Sequence, residues 1–329
     1  MDEYELVIIG AGPVGLAAAI EAKRIGINYI VLEKGVLANS IYNFPTQMRF
    51  FTTADLLEIG NHPFPSTDTK PTRQMALDYY RRTAQVEELN IQLFHDVTTI
   101  DVKMGIYTIS GYNRRFDEPE KFTLTTKFIV VATGYYDNPR GLGGIQGEDS
   151  SHVKYYYDDP HKYYGMNVVI VGAGNSGAEA ALDLYRHGAN VTLIHRHPEP
   201  SPMLKYWVAP DLKNRIKENS IKAIMPGEIV RITRKKVYYK SGEETSAIDT
   251  DVVFALTGFR PNTKLFEIWG VTPNEDGSLE LKPTFESTRS NMYFVGSCGQ
   301  GNKLNSVFIE NGREHAKIAL KNIKMKLNY

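Results

Sequence analysis

Two segments of the chain carry the same pattern of apolar and polar positions. Residues 4–9, YELVII, form a short, largely apolar run that predicts a buried strand. GAGPVG follows at once at 10–15, and LAAAIEAKRIG at 16–26 predicts a helix stopped by a glycine. Residues 27–32 then supply a second apolar strand. Strand, helix, strand in this order predicts a parallel, doubly wound sheet. The pattern returns in NVVIVGAGNSGAEAALDLYRHGANVTLIHR, residues 167–196. Gly10 and Glu33 stand 23 positions apart in the first copy, and Gly172 and His195 stand 23 apart in the second.

A second pair of repeats lies downstream of each copy. FIVVATGYYDNP at 128–139 and VVFALTGFRPNT at 252–263 are apolar strands that run into Thr-Gly, an aromatic residue and a proline turn. Alternation in YTISGY and KFTLTT predicts hairpin strands between residues 104 and 126. The predicted organisation is an α/β chain with two nested Rossmann-like dinucleotide-binding domains of the three-layer ββα type. The first is discontinuous, residues 1–138 with 264–329, and the second is inserted as residues 139–263.

The glycines carry the candidate chemistry. In the first copy Gly10 serves the tight turn, Gly12 close approach to a pyrophosphate, and Gly15 the packing of helix on strand. Pro13 and Val14 complete the turn, and the phosphates are expected at the positive end of the helix that follows. Glu33 accepts from ribose hydroxyls and repels a 2′-phosphate, and Lys34 stands beside it. Gly172, Gly174, Asn175, Ser176 and Gly177 repeat the turn in the second copy. There His195 and Arg196 occupy the places of Glu33 and Lys34, and a guanidinium suits a 2′-phosphate. FAD is therefore expected in the first site and NADPH in the second, with His197 either contributing or merely exposed.

Composition narrows the class. The 329 residues are 42% hydrophobic and 23% charged, with a formal net charge of +0, which points away from nucleic acid and from a membrane surface. The single cysteine, Cys298, excludes an internal disulfide and a cysteine-based zinc site. His62, His95, His161 and His187 show no metal spacing, so no metal is expected. The start, MDEYELVIIG, lacks signal-peptide character, and no run reaches a membrane span, so a cytoplasmic enzyme is expected.

Two dinucleotide folds with paired Thr-Gly turns resemble the thioredoxin-reductase-like flavoproteins. NSIYNFPTQMRFFTTADLLEIG, KPTRQMALDYYRR, DPHKYYG and NSVFIENGREH narrow the resemblance to the bacillithiol disulfide reductase family, over nearly the whole chain. The resemblance implies FAD contacts at Asn39, Ser40, Thr46, Val97, Ala132, Thr133, Gly134, Gly296, Ser297, Phe308 and Ile309. It implies NADPH contacts at Thr257 and Gly258, a small-molecule or redox-protein electron acceptor, and a homo-oligomer. A helix beginning near Asn305 and Ser306 and running through Glu310 is expected to support negative charge on the reduced flavin.

Three departures accompany the resemblance. The CxxC of thioredoxin reductases is missing, which excludes dithiol relay to thioredoxin. The cysteine that the family implies inside the first glycine turn is Val14. Gly296 is followed by Ser297 where relatives carry aspartate. Cys298 reads as a small buried hydrophobe rather than a relocated nucleophile. The expected activity is an NADPH-dependent FAD oxidoreductase serving an external acceptor. A flavin-containing monooxygenase is the alternative, although IQGEDSSHVKYY matches the FxGxxxHxxx(Y/F) motif of those enzymes poorly. A binding protein without turnover has no use for the second nucleotide site.

Overall fold

The computed structural model describes residues 2–302 and 306–328. Asn305, expected at the start of the last helix, lies outside the described residues. In chain order the first elements are β1 (Asp2–Ile9), α1 (Pro13–Arg24), β2 (Tyr29–Glu33), α2 (Asn39–Tyr42) and α3 (Arg73–Val86). Next come β3 (Ile91–Leu93), β4 (His95–Lys103), β5 (Ile106–Asn113) and β6 (Glu120–Val131). The inserted region holds β7 (Val153–Lys154), β8 (Asn167–Val171), α4 (Asn175–Arg186), β9 (Asn190–Ile194), α5 (Ala209–Lys217) and β10 (Lys222–Ile224). It continues with β11 (Glu228–Ile232), β12 (Lys236–Ser241), β13 (Glu244–Asp249) and β14 (Val252–Ala255). The chain closes with α6 (Thr263–Ile268), β15 (Met292–Phe294) and α7 (Ile309–Leu327).

The chain divides into two compact units. The first comprises residues 1–42, 48–138 and 260–329, and the second residues 43–47 and 139–259. The division departs from the sequence boundaries in two places. Residues 43–47 group with the second unit because the Thr46 N–H and hydroxyl both donate to the Asp158 carbonyl, at 3.1 and 3.0 Å. Residues 260–263 group with the first, where the Arg260 N–H donates to the Asn138 carbonyl at 3.0 Å.

In the first unit β3, β2, β1 and β6 run parallel, and β6 then serves two neighbours. Its first half pairs antiparallel with β5, which pairs with β4, and its last residues pair parallel with β15. Alternation along the strands sends Val7, Ile9, Ile30, Leu32, Ile129 and Val131 into one buried cluster with Phe266, Trp269 and Phe294. Leu6, Ile8, Val31 and Val130 on the other face are equally buried.

The second unit is built around the parallel sheet β10-β9-β8-β14-β7. Val168, Ile170, Val191, Leu193 and Phe254 pack with Ala178, Leu182, Leu184 and Leu212 of α4 and α5. Val169, Val253 and Ala255 pack the opposite way, on Ile229, Ile232 and Val237 of the antiparallel β11-β12-β13 sheet. Hairpin sheet, parallel sheet and helices are the three layers expected from the duplicated pattern.

Cys298 sits in the core of the first unit with no exposed surface. Its Sγ donates to the Val295 and Val131 carbonyls at 3.3 and 3.4 Å, and burial pushes the thiol pKa up to about 12. The thiolate, which is the reactive form, is therefore negligible at neutral pH. Titration with an aromatic disulfide reagent at pH 8 should modify no thiol in the native protein and one in guanidinium. Rapid modification of the native chain would show Cys298 to be accessible.

Candidate functional site

Each glycine turn is shaped by what its backbone touches. Gly10 has φ +108°, and a Cβ there would stand 2.6 Å from the Ala132 carbonyl oxygen. Gly172 has φ +105°, and its Cβ would stand 2.4 Å from the Leu256 carbonyl oxygen. The turn at the end of one strand thus rests on the Thr-Gly turn at the end of the next, which explains why the two repeats occur together. A Cβ on Gly15 would approach the Gly10 oxygen to 1.9 Å, and one on Gly177 the Gly172 oxygen to 1.8 Å. Gly12 and Gly174 differ, because a Cβ at either would meet nothing within 4 Å. These two face open space at the N-cap positions of α1 and α4. A pyrophosphate fits such a cradle, which a side chain would fill, under the unpaired N–H groups of the helix start.

The loops after β2 and β9 close on the turns in the same way. The Ala38 N–H donates to the Ala11 carbonyl and the Ser201 N–H to the Ala173 carbonyl, each at 3.0 Å. Glu33, only 6% exposed, accepts from the Ala11 N–H at 2.8 Å and the Gly35 N–H at 2.9 Å. Burial raises its pKa against those two bonds. A carboxylate has about four acceptor positions, so two remain for ribose hydroxyls. Lys34 is half exposed and pairs with Asp137. Asn39 Oδ1 accepts from the Val36 N–H at 3.4 Å, which makes it a loop-holding residue, with Ser40 next to it on α2.

Around the first turn the structure gathers most of the expected flavin residues. The Ala132 N–H donates to the Ile9 carbonyl at 2.8 Å, and Thr133 and Gly134 continue from it with Gly134 at φ +64°. Ser297 Oγ lies 4.0 Å from where a Cβ on Gly134 would stand, so the Gly296 turn reaches the same place. Val14 packs here as well. A Cβ on Gly296 would meet its γ-methyls at 3.3 Å, and one on Gly312 would meet Cγ2 at 3.0 Å. Phe308 is the N-cap of α7 and 52% exposed, with Ile309 the first helical residue. Its N–H donates to Asn311 Oδ1 at 2.7 Å, while Asn311 Nδ2 donates to the Ser306 carbonyl at 2.8 Å.

Two further expected residues have other contacts. Val97 is a core side chain of β4 beside a bulge. Thr46 belongs to the second unit, and its hydroxyl proton is committed to Asp158.

In the second unit His195 Nδ1 accepts from the Ala173 N–H at 3.3 Å. Arg196 is exposed, and its Nε reaches His197 Nε2 at 3.2 Å. Ser176 is exposed on the first turn of α4. Asn175 turns away from the turn: Nδ2 donates to the Met203 carbonyl at 2.9 Å and Oδ1 accepts from the Lys205 N–H at 2.8 Å. It therefore mounts the loop after β9 on α4. Thr257 donates to the Gly141 carbonyl at 2.8 Å, and Gly258 has φ +101°. Arg140 was missed from sequence. Its side chain lies 3.8 Å from a Cβ built on Gly258, and it stands one residue past the repeated Thr-Gly block.

The stretch compared with the monooxygenase motif has structural duties. A Cβ on Gly147 would stand 2.0 Å from the Ile232 oxygen, and His152 Nε2 bonds the Thr233 carbonyl at 3.1 Å. Glu148 accepts from the Leu142 and Gly144 N–H groups and from the Tyr155 hydroxyl. Burial opposes its charge, but these bonds prevail and hold its pKa below the ordinary value.

Residues 7–296 match the model of the family described as pyridine nucleotide-disulphide oxidoreductase. The chain is 36% identical over 318 residues to bacilliredoxin reductase Bdr of Bacillus subtilis, covering 96% of each chain. It superposes on the solved structure of bacillithiol disulfide reductase Bdr from Bacillus cereus with a TM-score of 0.95 and 34% identity, over 99% of this chain and 100% of that one. Thioredoxin reductase of T. acidophilum shares the fold, with a TM-score of 0.75 at 22% identity over the whole of both chains.

The contrast between Gly12 and Gly15 gives a test of the cradle. Gly12→Ala should fold with near-native stability and lose most of its bound flavin, because the new methyl enters open space. Gly15→Ala should cost about 3 kcal/mol or more through backbone overlap. Denaturant midpoints and flavin absorbance per chain separate the two effects, and equal flavin content in Gly12→Ala and the parent would show that the space is not a phosphate site.

Proposed function

The chain belongs to the pyridine nucleotide-disulphide oxidoreductases, in the bacillithiol disulfide reductase family, and on that premise we propose where it holds its cofactors and how it meets its acceptor. It is an FAD- and NADPH-dependent oxidoreductase. We assign FAD to the first unit and NADPH to the second. The observation that carries the assignment is the opposite chemistry of two equivalent strand ends, a buried carboxylate at Glu33 and a neutral ring followed by a guanidinium at His195 and Arg196.

FAD bound by the first unit would supply the redox chemistry, accepting a hydride from NADPH and giving an electron pair to the acceptor. The rest is the work of side chains and backbone. Gly12 and Gly174 leave room for the pyrophosphates, and the helix starts behind them offer N–H donors. Glu33 orients the adenosine ribose. Arg196 reads the 2′-phosphate, with Ser176 as a further donor. The free N–H groups at the start of α7 support negative charge on the flavin ring.

The acceptor we propose is a low-molecular-weight disulfide or a small redox protein carrying one. The names of the two bacillary relatives support that class. With Val14 in the turn and Cys298 sealed in the core, the chain has no thiol to share with a substrate. The reading carries with it a cytoplasmic setting and a homodimer, which sedimentation of the purified protein would check.

Two variants test the assignment. Arg196→Ala should weaken NADPH binding by about 10- to 100-fold, the worth of a charge-assisted pair, and leave NADH nearly unchanged. Equal losses in stopped-flow reduction with both nucleotides would show that Arg196 does not read the 2′-phosphate. Val14→Cys places a smaller side chain in a packed position, so flavin content should be kept. The parent should reduce a one-electron dye readily and bacillithiol disulfide slowly, and the variant should gain disulfide reduction. Fast disulfide turnover by the parent, retained in Cys298→Ser, would overturn the need for a thiol at position 14.

A further inference from the structure

The duplication allows the two strand ends to be compared atom by atom. In both units the N–H of the alanine inside the glycine turn donates to the side chain at the end of the second strand. The acceptor is Glu33 Oε2 at 2.8 Å in the first unit and His195 Nδ1 at 3.3 Å in the second. The backbone around each is the same. The Gly10 N–H meets the Leu32 carbonyl at 2.8 Å, and the Gly172 N–H meets the Ile194 carbonyl at 2.9 Å.

A backbone N–H can only donate, so Nδ1 of His195 holds a lone pair and the ring proton sits on Nε2. Burial, with His197 and Arg196 beside the ring, keeps the imidazole pKa below its ordinary value. Arg196 and His197 lie on the loop that continues from the ring. The glycine turn and the Ile224–Gly227 stretch packed on the strand end carry no charge.

We infer that His195 is a positioning residue: its neutral ring holds the second glycine turn through Nδ1, as the Glu33 carboxylate holds the first, and its Nε2–H turns the outer end from an acceptor into a donor. A carboxylate accepts at both ends, from the turn and from a ribose hydroxyl. A neutral imidazole accepts at the turn and donates outward, which suits a 2′-phosphate. Exchanging one acceptor for a donor, while the turn keeps its anchor, adds to the preference for the phosphorylated nucleotide that Arg196 gives. This rests on the second unit being the NADPH site.

Three substitutions separate the two ends of the ring. Glutamine keeps an acceptor and a donor, glutamate keeps only acceptors, and alanine keeps neither. Hydrogen exchange at Ala173, followed on peptides from nucleotide-free, FAD-loaded protein, should quicken in His195→Ala and stay near the parent rate in His195→Gln and His195→Glu. Calorimetric titration should show NAD+ weakened about 5- to 10-fold in His195→Ala, because the turn serves the pyrophosphate common to both nucleotides, and NADP+ weakened further because the outward donor is lost as well. His195→Gln should keep the preference for NADP+, and His195→Glu should shift it toward NAD+ by at least about tenfold.

Unchanged Ala173 exchange in the alanine variant, or loss of NADP+ binding alone, would overturn the positioning role. A parent that binds neither nucleotide would instead sink the reading of the second unit. The exchange pattern across the three variants would still decide the anchor.

Discussion

Both units depend on one close approach. The backbone at Gly10 and at Gly172 lies so near the carbonyl of the adjacent strand end that no Cβ fits. That contact fixes where the chain leaves the sheet, and the left-handed φ it demands is one that glycine adopts without penalty. The second contact, Gly15 on Gly10 and Gly177 on Gly172, sets how closely α1 and α4 lie against their strands. Once both are made, the helix N-terminus must point across the third glycine into open space. The open cradle is thus a product of two packing constraints, with the open glycine as the residue that keeps it empty of protein.

Selectivity is layered on this shared frame by a few atoms. The loop after each second strand is tied to the turn by the same 3.0 Å backbone bond, so the frame does not distinguish the two nucleotides. What differs is the side chain that takes the alanine N–H, together with its neighbour. Glu33 is buried, and its near neighbour Lys34 is turned to Asp137, so no cation of that loop neutralises the carboxylate we assign to the ribose. Arg196 is exposed, and the ring before it carries no negative charge to oppose a phosphate. Asn175 ties the loop after β9 to α4 through both ends of its amide.

The duplicated frame was legible in the sequence because its signals are local and repeat at fixed spacing. Turn, helix and strand end all fall within a 23-position spacing, and the Thr-Gly repeats mark the strands that the glycines press against. Less legible was whatever depends on a partner distant in the chain. Thr46 reads as a flavin neighbour by its family block, and nothing local shows that its hydroxyl donates to a carbonyl 112 positions away. Asn175 sits in the motif but bonds residues 28 and 30 positions on. Arg140 stands in a plain loop, and only the fold brings it to Gly258. Cys298 was the converse case, since a lone cysteine just after the Gly296 turn reads correctly as a small buried hydrophobe.

The position of Val14 shows how far the fold and the family's chemistry can separate. Its γ-methyls fill the gap between the Gly296 turn and the first turn of α7, where both facing residues are glycines. A cysteine there would make fewer contacts without moving the backbone, so the turn accepts either residue. Nothing in the glycine contacts, the anion cradle or the strand-end acceptors depends on which one is present. The nucleotide frame can therefore persist intact while the thiol beside it is gained or lost. A fold held by backbone approaches constrains the cofactors closely and the acceptor hardly at all. The acceptor must instead be read from the few side chains that touch it, and in this chain none of them is a reactive thiol.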